Sequence, residues 1–135
     1  MISKKEIRFM LDVAKRASEE SYDSKTRVGA VIAKDRNILA YGYNGTATGT
    51  SNVMRDSNGK TLSTVIHAEQ NALAKLAKST QSGDGAAMYC THFPCMNCAL
   101  SIIQAGITNV YYHNDYKDMT ALDLFKSSGV TTHKV

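Results

Sequence analysis

The chain has no tryptophan, a single proline and three cysteines, and no apolar stretch approaches the length that crosses a bilayer as a helix, about 20 residues. Each shortage excludes something. Three cysteines cannot all pair, and no apolar leader stands near the N-terminus, so a disulfide-built secreted scaffold is not expected. The expectation is a reduced, cytoplasmic protein with no membrane partner. Sixteen Lys and Arg against twelve Asp and Glu give a net charge of +4, spread along the chain without a basic block. Dispersed charge reads as a solvated surface and predicts no nucleic-acid partner, though it is compatible with a small anionic substrate. With no repeat, no low-complexity tract and 43% hydrophobic residues over 135 positions, residues 1–135 suit one domain with a real core.

Apolar periodicity gives the elements. Ile7, Met10, Leu11, Ala14 and Ala17 fall at helical spacing after Ser3, with Glu6 three residues on as a capping box, which predicts a helix over 3–20. Two short apolar runs, 28–33 and 38–43, flank Asp35-Arg36-Asn37 and read as a hairpin. From Asn44 to about Lys60 the chain turns to Gly, Thr, Ser and Asn, with a turn signal at Ser57-Asn58-Gly59; loops of this length are commonly functional, and a substrate-covering role is expected. Further on come a helix over 66–78, a strand over 86–91, a helix over 95–105 ended by Gly106, a strand at 110–112, a helix over 118–128 and, after Gly129, a terminal strand. Helix and strand alternate in this second half, which favours parallel pairing through crossovers.

The chemistry lies in His67-Ala68-Glu69 and Pro94-Cys95-Met96-Asn97-Cys98. Cys95 and Cys98 stand at i and i+3 of a helix whose first turn favours thiolates, and His67 adds a neutral imidazole, a donor set suited to zinc. A structural zinc site normally has four protein ligands, whereas a catalytic one keeps three and leaves a position for water, whose pKa falls to about 7. Three donors and an adjacent carboxylate therefore predict one catalytic zinc per chain with Glu69 as proton carrier. Spacing alone does not establish that pairing. Two residues apart on an ideal helix, His67 and Glu69 point in different directions, and a Glu in a first turn is an ordinary dipole partner. Cys90, on a predicted strand, reads as a core thiol.

Four segments resemble deoxycytidylate (dCMP) deaminases within the zinc-dependent cytidine/deoxycytidylate deaminase family: Gly42-Tyr43-Asn44-Gly45, His67 to Ala72, Phe93 to Ala99, and Ile102 to Ile107. The likeness spans nearly the whole chain. It implies a three-layer α-β-α fold with a mixed five-stranded sheet flanked by helices, and hydrolysis of dCMP to dUMP and ammonia on the route to thymidylate. Carried over by position, Asn44 would bond the sugar, Arg27 and Thr46 the 5′-phosphate, and Ala68 would line the substrate site, with Tyr116 closing over the nucleotide. Regulation by dCTP with Mg2+ as activator and dTTP as inhibitor is implied as well, in a homohexamer, with Gly42, Tyr43, Gly45 and Asn71 near the effector. Arg27 could equally be a surface charge and Thr46 a loop hydroxyl, and the glycines could mark a tight hairpin exit. No second zinc site is expected, since Cys90 and His92 cannot alone supply four ligands.

Two rivals stay open. A tRNA adenosine deaminase or a riboflavin-pathway deaminase shares the His-Ala-Glu and cysteine motifs, although the former should carry a more concentrated basic surface. A zinc-stabilised binding module would need a fourth ligand, for which Cys90 and His92 are the nearby candidates.

Overall fold

The central strands are buried on both faces, which dictates helices above and below them. In the computed structural model, which describes residues 2–135, the element order is α1 (Lys4–Ser18), β1 (Gly29–Lys34), β2 (Asn37–Tyr43), α2 (Ala68–Ala77), β3 (Ala87–His92), α3 (Met96–Gln104), β4 (Asn109–Asn114), α4 (Ala121–Ser128) and β5 (Thr131–Lys134). The five strands form one sheet in the order β2-β1-β3-β4-β5. β1 pairs antiparallel with both β2 and β3, while β3, β4 and β5 run parallel, so the sheet is mixed. Parallel neighbours require crossovers, and α3 and α4 supply them.

Side-chain alternation divides the core into two layers. Val31, Ala33, Ala87, Tyr89 and Tyr111 face Met10, Leu11 and Ala14 of α1. Ala30, Ile32, Met88, Cys90, Val110 and Tyr112 point the other way, toward Ala72 and Leu76 of α2, Ala99 and Ile102 of α3, and Phe125 of α4. The three-layer expectation holds, with one helix on one face and three on the other. Among the described residues, no helix is long and apolar enough to cross a membrane.

Element ends differ from the sequence reading where local hydrogen bonds intervene. Ser3 caps α1 by accepting the Glu6 N–H at 3.1 Å, but the Glu6 carboxylate turns to Arg36 at 3.4 Å instead of closing the capping box. The hairpin turn consists of Asp35 and Arg36 alone, both at positive φ (51° and 68°), the primed geometry that matches strand twist. α4 starts three residues later than expected because Asp118 Oδ1 accepts the Thr120 N–H at 2.9 Å in a preceding turn. α2 starts at Ala68, not 66, because Ile66 is extended and bridges Gly45 antiparallel, with N–H···O distances of 3.0 and 2.7 Å. The loop after β2 thus runs to His67 and is pinned at its end as well as its start.

Two packing features hold the loops that follow. Gly42 lets α2 lie against β2: a Cβ there would sit 2.5 Å from both the Ala68 carbonyl oxygen and the Ala72 nitrogen. Phe93, 2% exposed, packs edge-on against Tyr112 and Phe125 at centroid distances of 4.9 and 5.9 Å. Burying such a ring contributes roughly 1.5–3 kcal/mol and anchors the approach to Pro94-Cys95. A Gly42→Ala variant should lose roughly 2 kcal/mol, because the obstructing atoms are backbone and only a shift of α2 relieves them. Urea unfolding checks this; unchanged stability would mean that the helix yields freely.

Candidate metal centre and active site

Both helices that carry the motif begin on the donors themselves. His67 is the N-cap of α2 (φ −72°, ψ 156°) and Cys95 the N-cap of α3 (φ −71°, ψ 171°), so each has extended backbone. This resolves the spacing problem in His-Ala-Glu. An extended cap does not obey the 100° step of a helix, and Glu69, one turn position inside α2, can share a pocket with it. Gln70 Oε1 accepts the His67 N–H at 2.9 Å and fixes the cap. Cys98, three residues after Cys95, lies in the first turn of α3 and is fully buried.

His67 Nδ1 lies 3.4 Å from Cys95 Sγ and 3.4 Å from Cys98 Sγ, and all three donor atoms fall within 4.8 Å of one another. In a tetrahedral zinc site with Zn–S near 2.3 Å and Zn–N near 2.05 Å, an N···S edge is about 3.6 Å. The donor set fits zinc in type and spacing. Hydrogen bonding with Cys98, and then with His67, pulls the Cys95 thiol down to about 4 against the effect of burial. Cys98 moves the other way, raised by its bond to Cys95 and by burial. The two thiols are thus shifted in opposite directions, and a dication, when bound, favours the thiolate form of both. Neither Cys90 nor His92 joins the group among the described residues. Burial pushes the Cys90 thiol well up, as befits the core position expected for it. His92 instead places Nδ1 2.9 Å from Thr91 Oγ1.

Glu69 is 4% exposed. Burial pushes its carboxyl up to about 7, with its own backbone N–H and the His67 charge acting in the opposite direction. It opens with His67 and Cys95 onto a cavity of about 560 Å3. That size is in the range of small-molecule sites. Of the substrate residues expected from the sequence, Asn44, Ala68 and Tyr116 line this cavity, and Arg27 and Thr46 do not. Arg27 instead donates from Nε to the Asp23 carbonyl at 3.2 Å. Asn44 is largely committed to the protein: Oδ1 accepts the Val28 N–H at 2.8 Å, and Nδ2 donates to the Thr26 carbonyl at 2.9 Å. The four residues expected near an effector join β2 to α2. Gly42 permits the close approach, Asn71 Nδ2 donates to the Tyr43 carbonyl at 2.8 Å, and Gly45 pairs with Ile66.

The cavity also contains His92, considered above only as a spare ligand, and charged groups that the sequence did not single out: Asp23, Lys25, Arg55 and Lys117. The only signal for Arg55 is that it is the one cation between Asn44 and Gly59. Asp23, 3% exposed, accepts from Arg55 Nε at 2.6 Å and Nη2 at 3.0 Å. Burial alone would raise the Asp23 carboxyl, but the Arg55 bond, the Lys25 N–H and the Arg55 charge together bring it below the usual carboxylate value. A hollow of about 600 Å3 elsewhere, between the start of α1 and the β1–β2 turn, contains neither histidine nor cysteine.

Three donors with an open corner beside a buried carboxylate define the class of catalytic metal sites that activate water. Comparison with known proteins names the family. The family model for the cytidine and deoxycytidylate deaminase zinc-binding region matches residues 3–114, and the chain belongs to that family. The chain is 43% identical over 115 residues to ComE operon protein 2 of Bacillus subtilis, covering 80% of this chain and 59% of that protein. It is 34% identical to deoxycytidylate deaminase of Schizosaccharomyces pombe, covering 90% of this chain and 41% of that one. The chain thus spans about half the length of these curated relatives. Among solved structures it superposes on dCMP deaminase from the cyanophage S-TIM5, crystallised in complex with dCMP and dUMP, with TM-score 0.97, 38% identity and 100% coverage of both chains.

Two outcomes follow from the site. Cys98→Ser should lower bound zinc well below one per chain as measured by elemental analysis, since a buried hydroxyl is a poor replacement for thiolate; full retention would remove Cys98 from the donor set. The Asp23 carboxyl has a folded pKa below its unfolded one, so its stabilisation is present above the unfolded pKa and is lost as pH falls through the folded value. The stability difference between wild type and Asp23→Asn should therefore shrink as pH drops below about 4. A difference that stays constant down to pH 2 would contradict this.

Proposed function

We propose that this chain is a zinc-dependent deaminase that converts dCMP and water to dUMP and ammonia, supplying dUMP for thymidylate synthesis. The observation that carries the reading is the open three-donor set of His67, Cys95 and Cys98 beside buried Glu69, in a cavity whose wall also bears Lys25, Arg55 and Lys117. Likeness to the dCMP deaminase that was crystallised with dCMP and dUMP supports the choice of base.

Zinc, when bound, supplies Lewis-acid activation of water and brings its ionisation close to neutral pH. Glu69 then performs the proton transfers. It takes a proton from the attacking water and delivers it to the ring nitrogen as the carbon–oxygen bond forms at the aminated carbon. It next carries the remaining water proton to the amine as the exocyclic carbon–nitrogen bond breaks. One water proton stays on the ring and the other leaves with ammonia. Burial raises the Glu69 carboxyl, the direction that suits a group giving and taking protons near neutral pH.

The remaining residues bind and orient the nucleotide. As first residue of α2, Ala68 has an N–H without a helical acceptor, suited to the carbonyl oxygen of the base. Asn44 has one Oδ1 lone pair left for a sugar hydroxyl, and Tyr116 covers the nucleotide. For the 5′-phosphate we prefer Lys25, Arg55 and Lys117 over Arg27 and Thr46, because the first three line the cavity. With Arg55 paired to Asp23, Lys25 and Lys117 supply the positive charge at this wall, which favours an anionic substrate over a neutral nucleoside. In the same reading the Gly42–Gly45 turn and Asn71 contact an effector triphosphate with Mg2+ in a homohexamer, dCTP raising and dTTP lowering the rate. Their ties between β2 and α2 support a route from that turn to His67.

Ammonia release from zinc-loaded protein, compared on dCMP, deoxycytidine, dCTP and a tRNA anticodon stem, tests the reading. dCMP should be turned over best, and Glu69→Gln should lower kcat by about 10³-fold with zinc retained. Faster deamination of the tRNA stem would overturn the substrate, and a rate unaffected by Glu69→Gln would overturn the mechanism. Adding dCTP with Mg2+, or dTTP, to the same assay tests the regulation; no response to either would remove that part.

A further inference from the structure

Asp23 lies outside all the recognisable motifs, yet it is the most heavily used carboxylate in the cavity wall. Its two oxygens receive four donors: Arg55 Nε at 2.6 Å and the Lys25 N–H at 3.0 Å on Oδ1, and Arg55 Nη2 at 3.0 Å and Asn44 Nδ2 at 3.4 Å on Oδ2. The contact with Arg55 is bidentate, along the Nε–Nη2 edge of the guanidinium. Arg55 Nη1 donates in addition to the Gly59 carbonyl at 2.9 Å. Of the five N–H groups of the guanidinium, one on Nη1 and one on Nη2 are left uncommitted among the described residues.

We propose that Asp23 is a positioning residue that sets the preference for a phosphorylated over an unphosphorylated nucleoside, by fixing Arg55 at the cavity wall. The proposal rests on the reading of the cavity as a nucleotide site. Its physical basis is preorganisation. A free arginine on a long polar loop would lose several rotamers on meeting a phosphate, whereas Arg55 is already held flat by a buried carboxylate with a pair of donors to spare. Asp23 neutralises the formal charge of Arg55, so Arg55 supplies direction, and Lys25 and Lys117 supply the excess positive charge. Of the two other carboxylates that line the cavity, Glu69 lies beside the three donors and Asp115 pairs with Lys134 Nζ at 2.9 Å. The same Asp23 oxygen that receives Nη2 also holds Asn44, coupling the sugar and phosphate ends of the site.

The test is the ratio of kcat/KM for dCMP to that for deoxycytidine, measured on zinc-loaded protein. Asp23→Asn keeps the shape but presents an amide N–H to Arg55, which releases the guanidinium. The expected result is a rise in KM for dCMP of about tenfold, a much smaller change in kcat, and a ratio that falls by a similar factor. Arg55→Lys, which keeps the charge and lacks the fork, should lower the ratio comparably. In an Arg55→Gln background, Asp23→Asn should lower it little further, because the two act through one contact. Calorimetric binding of dUMP against deoxyuridine should show the same loss without turnover.

A ratio that is unchanged in Asp23→Asn while thermal stability falls would overturn the proposal, leaving the pair as a staple for the loop. Equal losses on both substrates would overturn it too. If wild-type protein itself does not prefer dCMP, the substrate reading fails first, and the wild-type comparison separates that outcome from failure of the proposal alone.

Discussion

Two helix N-termini converge on one point, and each presents its cap residue, not a residue inside the helix, as a metal donor. His67 and Cys95 have extended backbone at the head of α2 and α3, and Cys98 reaches the same point from the first turn of α3. The free N–H groups and dipoles of both helices favour negative charge there, which suits thiolates and a carboxylate together. Glu69 benefits from the same arrangement, since only a non-helical His67 lets both side chains face one cavity. The rest of the structure is organised to hold these two helix ends together.

Sheet order achieves this. β1 sits between β2 and β3, and the long loop leaving β2 returns to the head of α2 at the Gly45–Ile66 bridge. Gly42 allows α2 to lie close on β2, and the buried Phe93 ring holds the segment leading from β3 to Cys95. The loop after β2 is then free to form the cavity wall, and the Asp23–Arg55 pair ties its middle back to the segment before β1. Backbone packing sets the spacing of the three donors, while ion pairing shapes the side of the cavity that bears Lys25 and Arg55.

Much of this was legible in the chain. Long periodic segments gave the helices and strands in the right order, and the alternation after residue 66 pointed to the parallel half of the sheet. The donors and Glu69 were legible because their residue types are chemically specific and closely spaced. Other features depend on distant contacts that leave no local pattern. The placement of β1 beside β3 is one, since any short apolar strand could have filled that position. The start of α2 is another: apolar spacing extends the helix to Ile66, but a bridge to Gly45, 21 residues earlier, holds Ile66 extended. Asp23 and Arg55 are 32 residues apart and neither belongs to a periodic run, so nothing in one sequence marks them as partners. Arg27 and Thr46 were plausible phosphate groups by type, yet neither lines the cavity.

The central claim is that the metal has three protein ligands and one open position. X-ray absorption spectroscopy at the zinc edge on catalytically active protein tests it most directly. The account predicts two sulfur scatterers at about 2.3 Å and two lighter ones at about 2.0–2.1 Å, only one of them an imidazole. A sphere with three sulfurs or two imidazoles, or active protein without zinc, would contradict it.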